Sequence, residues 1–173
     1  MLNKIHKTAA AAALFFAATL VASSTLAQSH ADFSFRAIDG ETVTSETVQG
    51  QVAVLAFGAA WLPLSKNQLE GVKKLADDYA GRGVVVYWVS TDSDSTKSKN
   101  YASEDQLRGL ARKYKVTVLR DPDGAVSKKL GVDQLPTVII IDKQGNISGG
   151  PIGGLDPNAN LTAQLSERLK KIL

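Results

Sequence analysis

The sequence predicts an α/β protein, a mixed β-sheet with helices on both faces. Three observations carry that expectation. Apolar runs at Val52 to Phe57, Val84 to Val89 and Thr137 to Asp142 read as strands buried on both sides. Between them lie stretches whose apolar residues recur at helical spacing, and such alternation builds a sheet covered by helices. The KQGN turn after the third run then sends the chain straight back, so the last two strands are antiparallel and the sheet is mixed.

Each element has its own local reason. FSFRAID, Phe33 to Asp39, alternates apolar and polar residues and ends in the Asp39-Gly40 turn. Leu69, Val72, Leu75, Ala76 and Tyr79 mark a helix over Ser65 to Ala80. Ser65 and Gln68 are expected to form a capping box at its start, with Gly81 and Gly83 ending it. The polar stretch TDSDSTKSKNYAS reads as a solvated loop. Ser103 and Gln106 repeat the capping-box spacing before a helix carrying Leu107, Leu110, Ala111 and Tyr114. VTVLRD is a short strand, Asp121 to Gly124 a turn and AVSKKLGV a short helix. ISGGPI is a weaker final strand. Asp156 and Pro157 are placed as N-cap and first residue of the last helix, with Leu161, Leu165, Leu169 and Ile172 on its apolar face.

The first 27 of the 173 residues read differently. A basic start, the apolar run TAAAAALFFAATLV and small residues ending at Ala27 have the layout of a secretory signal peptide. Residues 28–173 are then a single exported domain, periplasmic or secreted. Of 20 basic residues the leader takes Lys4 and Lys7 and no acid, leaving 18 against 17 acidic ones, a net charge of +1. No basic field remains to recruit nucleic acid, and no stable membrane insertion is expected once the leader is cleaved. With no cysteine in the chain, the fold is held without disulfides.

Two segments in order carry a resemblance. VAVLAFGAAWLPLS resembles the strand, tryptophan and turn of thioredoxin-like proteins, whose two cysteines would fall at positions 62 and 65. QLPTVIIIDKQGNI resembles the same family's proline loop and the hairpin after it. The extra helix and strand between them, and the N-terminal hairpin, are similar to TlpA/ResA-type envelope disulfide reductases, with the AhpC/TSA redoxins as cousins. The resemblance implies a thioredoxin fold, a cis Leu135-Pro136 bond, and a groove beside Trp61 that holds an extended peptide.

The chemistry departs from the family. Disulfide exchange starts with a thiolate attacking sulfur, and so does peroxide reduction. Leu62 stands in the nucleophile's position and Ser65 in that of its resolving partner. A serine nucleophile would need a base, and His30 is the only histidine after residue 27. Ser65 is therefore read as a helix cap or solvated residue. Asp92-x-Asp94-x-Thr96 opens like a calcium loop, but Lys97 replaces its glycine and Ser103 its final glutamate. No metal and no cofactor is expected. GGPIGG lacks the sequence of a phosphate-binding loop and reads as a bend at a sheet edge. Trp61, Leu62, Pro63 and Leu64 beside Leu135 and Pro136 are left as an expected apolar patch for an envelope protein or extended peptide. Two functional readings follow: a redox-inactive binding module, or a redox protein that depends on a partner's thiols.

Overall fold

The computed structural model describes residues 29–153 and 160–173; the predicted leader lies outside them. Along the chain run β1 (Ser34–Ala37), β2 (Thr42–Thr44), β3 (Val52–Gly58), α1 (Pro63–Asp78), β4 (Val84–Ser90) and α2 (Glu104–Tyr114). There follow β5 (Thr117–Arg120), α3 (Ala125–Lys129), β6 (Thr137–Ile141), β7 (Ile152–Gly153) and α4 (Leu161–Lys170). The strands form one mixed sheet in the order β2-β1-β5-β4-β3-β6-β7. β3, β4 and β5 are parallel neighbours, while β6 runs antiparallel to β3.

All seven residues of β3 are buried because both faces of the sheet are covered. Val52, Val54 and Ala56 face a core with Leu69, Val72 and Leu75 of α1, Leu107 of α2 and Leu165 of α4. Ala53, Leu55 and Phe57 face a second core with Phe33, Phe35, Leu130 and Ile139. The cover is uneven: three long helices pack on one side, and the short α3 with the N-terminal segment on the other. Gly71 lets α4 approach α1 closely, since a Cβ there would stand 2.9 Å from that of Leu161.

Several local expectations change. α1 begins two residues early, at Pro63, with Leu62 as its N-cap and no side-chain cap. A proline at the first helical position loses no needed N–H and outweighs the capping spacing two residues on. The Ser103–Gln106 box, by contrast, forms as expected. α4 is capped by Asn160, whose side chain accepts from the Thr162 N–H. Asp156 and Pro157 themselves lie outside the described residues. ISGGPI contracts to the two-residue β7 and a bridge between Ile147 and Ile141; Gly149, at φ +73°, interrupts it.

Candidate functional site

Register places the site. Gly58 of β3 pairs with Ser90 of β4, and Ser90 with Arg120 of β5, so all three stand at the carboxyl ends of parallel strands. Phe57 pairs with Thr137, which brings the loop before β6 to the same edge. Sheets of this kind bind ligands at that edge.

Beneath the edge lies a buried polar frame. Ser65 is 1% exposed, and its Oγ accepts from the Ala59 N–H at 3.0 Å. It is neither cap nor solvated group, but a tie from the third residue of α1 to the loop after β3. Gln68 Oε1 accepts from Trp88 Nε1 at 3.0 Å, and its Nε2 donates to the carbonyls of Phe57 (3.2 Å) and Thr137 (3.4 Å). One amide thereby links β3, β4 and the residue following Pro136. Asp92, expected in a solvated loop, is fully buried; its carboxylate accepts from the Ala60 N–H at 2.8 Å and the Ser90 hydroxyl at 2.7 Å. Gly58 is required here: a Cβ would come within 2.7 Å of Gln68 Oε1 and Ser65 Oγ and 2.8 Å of Trp88 Nε1.

Above the frame the residues divide. Trp61 and Leu64 are exposed, Pro63 is exposed as the first residue of α1, and Leu62 is half-buried. The Leu135–Pro136 bond is cis; Pro136 is buried and Leu135 packs half-buried against the second core. Those two contribute little to exposed apolar area. Tyr101 takes their place. It is the third exposed large hydrophobic residue among those described, and it lines with Trp61 a cavity of about 330 Å³ floored by Ala102 and Leu110. Sequence reasoning passed over Tyr101; its one signal is an aromatic residue alone in a polar loop. His30 pairs with Asn146, past the end of β6 opposite Pro136, so it is ordered and cannot serve Ser65 as a base. Among the described residues no three carboxylates or imidazoles gather as a metal site.

Strand order, the proline loop and a helix opening beside an exposed tryptophan define a thioredoxin-fold protein of the thiol-disulfide oxidoreductase type, with leucine and serine in the thiol positions. The chain belongs to the AhpC/TSA family, whose profile matches residues 26–149. It is 28% identical to the thioredoxin-like protein YneN of Bacillus subtilis over 70% of this chain and 68% of that protein. It is 26% identical to the thiol-disulfide oxidoreductase ResA of Bacillus thuringiensis, over 78% and 71% of the two chains. Among solved structures, the exposed lipoprotein thioredoxin Etrx1 of Streptococcus pneumoniae aligns with a TM-score of 0.62 and 28% identity, covering 79% of this chain and 99% of that one.

Proposed function

We propose that this chain is an exported binding module that holds an extended peptide segment at the carboxyl edge of its sheet and carries out no thiol chemistry of its own. The observation that carries the reading is the grouping of exposed apolar side chains. Trp61, Leu64 and Tyr101 all stand at that edge, and Trp61 and Tyr101 share a cavity. Exposed apolar groups gathered in one place mark interaction sites, whereas scattered ones do not. Leu62 and Pro63 lie between Trp61 and Leu64 in sequence, and the loop before β6 that carries Leu135 and Pro136 reaches the same edge. Extended peptides bind such edges through main-chain hydrogen bonds, with pockets taking alternate side chains. The signal-like leader over residues 1–27, and relatives that include an exposed lipoprotein, support export and an envelope partner.

A random-peptide display selection on the immobilised full chain tests this. Apolar consensus sequences are expected, and enrichment should vanish for Trp61→Asp/Leu64→Asp with melting within about 3 °C of wild type. Equal enrichment by both proteins would sink the proposal. Family membership favours a second reading, in which a partner's thiols make the chain part of a redox system. Insulin reduction by the full chain alone separates the chemistry: no turnover above buffer is expected, and turnover would show that the missing cysteines were misread.

A further inference from the structure

The Trp61–Tyr101 cavity has two walls, and one short segment of chain is tied to both. Ala60 and Trp61 form the first wall, in the turn between β3 and α1; Tyr101 and Ala102 form the second, just ahead of α2. The segment is Thr91, Asp92 and Ser93, which continues β4 past Ser90. Thr91 anchors it to the end of β3, its N–H and its hydroxyl both donating to the Gly58 carbonyl at 2.9 and 3.2 Å. Asp92 reaches the first wall, where both of its carboxylate oxygens accept from the Ala60 N–H at 3.0 and 2.8 Å. Ser93 reaches the second: it bridges Tyr101, and its carbonyl accepts from the Ala102 N–H at 3.2 Å. The Asp92 carboxylate is itself oriented by the buried Ser90 hydroxyl, which donates to it at 2.7 Å and accepts from the Asp92 N–H at 3.2 Å. Asp92 is fully buried, and among the described residues no cation pairs with it. Burying a charge in this way is costly and is offset only by the hydrogen bonds it accepts. Satisfying one backbone donor does not require a charge. A charge-assisted grip by both oxygens adds a fixed position.

We infer that Asp92 is a positioning residue for the peptide site: it holds the Trp61 wall through Ala60 while Ser93, next in the chain, holds the Tyr101 wall, and the two together set the spacing of the cavity. Asp92 is too deeply buried to touch a ligand itself. The aromatic side chains have little packing of their own to fix them, since Trp61 is 53% and Tyr101 38% exposed. The ties on their backbone neighbours do that instead. Walls already in place spare a bound peptide the cost of ordering them, and affinity rises in proportion to the fraction of molecules so arranged. This rests on the peptide-binding reading above and adds the residue that preorganises the site.

The test uses the full chain labelled with fluorotryptophan, whose two tryptophans report the wall and the core separately by fluorine NMR. Asp92→Asn keeps one acceptor oxygen and loses the grip of two. The Trp61 resonance should broaden or split, while that of Trp88, buried and bonded to Gln68, should stay in place. By calorimetry, well below the melting temperature, the peptide selected on the wild type should bind on the order of tenfold more weakly, as when the competent arrangement falls to about a tenth of the population. Ser90→Ala removes the hydroxyl that orients the carboxylate and serves if Asp92→Asn does not fold; there the loss should be about threefold. Leu169→Ala is the control. It opens the core in the last turn of α4, near the Lys143–Leu173 contact at the end of the sheet opposite Pro136. It should lower the melting temperature and leave both the Trp61 resonance and the affinity unchanged. A Trp61 resonance that does not move in Asp92→Asn and Ser90→Ala, or an affinity loss that Leu169→Ala reproduces, overturns this inference and leaves the peptide-binding reading standing. No peptide enriched on the wild type defeats both.

Discussion

The buried frame and the exposed rim of the carboxyl edge stand within a few residues of each other, yet they are built on opposite terms. In the frame, the Ser65 hydroxyl, both ends of the Gln68 amide and the Asp92 carboxylate all have partners and almost no exposure. On the rim, Trp61, Leu64 and Tyr101 face solvent. The two vacated thiol positions fall on either side of this divide. Ser65 has become part of the frame, while Leu62 has gone to the boundary as the N-cap of α1. The frame is therefore satisfied without a thiol, while the rim keeps its apolar side chains in solvent.

Breaking the frame should cost most at Gly58. The Cβ of Gly58→Ala meets three polar atoms at under 3.0 Å, and two of them form the Trp88–Gln68 hydrogen bond. Urea unfolding should show a loss of about 3 kcal/mol, near the top of the overpacking range; a loss below about 1 kcal/mol would mean the frame yields. Asp92→Ala comes next. It leaves the Ala60 N–H and the Ser90 hydroxyl without their acceptor, at a cost of about 2 kcal/mol. Ser65→Ala removes a single acceptor from the Ala59 N–H and should cost about 1 kcal/mol. If Ser65 were a solvated residue instead, the same change would be silent.

How much of this was legible depends on how far apart the interacting residues lie. The central strands were readable because burial on both faces leaves an unbroken apolar run, as in Val52 to Phe57. The start of α2 was readable because its capping box closes within four residues. The spacing at Ser65 and Gln68 is identical, but their partners are Ala59, Phe57, Trp88 and Thr137, and only Ala59 is near in sequence. Pro63 was the local clue that the helix had already begun. Asp92 looked solvated among Ser, Thr and Lys because its partner at Ala60 lies 32 residues away.

On the rim the comparison predicts near silence in stability. Leu64→Ser should stay within about 0.5 kcal/mol of wild type while weakening peptide binding, because the side chain is 41% exposed. A large destabilisation would move Leu64 into the frame.

The smallest effect lies at the far end of α1, where contacts with solvent-facing groups replace buried ones. Asp78 closes the helix, where a negative charge opposes the macrodipole. It nevertheless accepts from Lys74 Nζ at 2.7 Å and from Thr162 Oγ1 of α4 at 2.9 Å. Its pKa is lowered from 3.8, chiefly by the hydrogen bond from Lys74 and then by that from Thr162, so the partners outweigh the dipole. A carboxylate with a lowered folded-state pKa stabilises the protein above its unfolded value and loses that contribution as pH falls through the folded one. Asp78→Asn should therefore melt slightly below wild type at pH 7, and the gap should close as pH drops below 3.8. Thermal melts of both proteins between neutral pH and about pH 2.5 measure it. A gap that widens in acid would mean that the dipole, not the α1–α4 contact, governs this end of the helix.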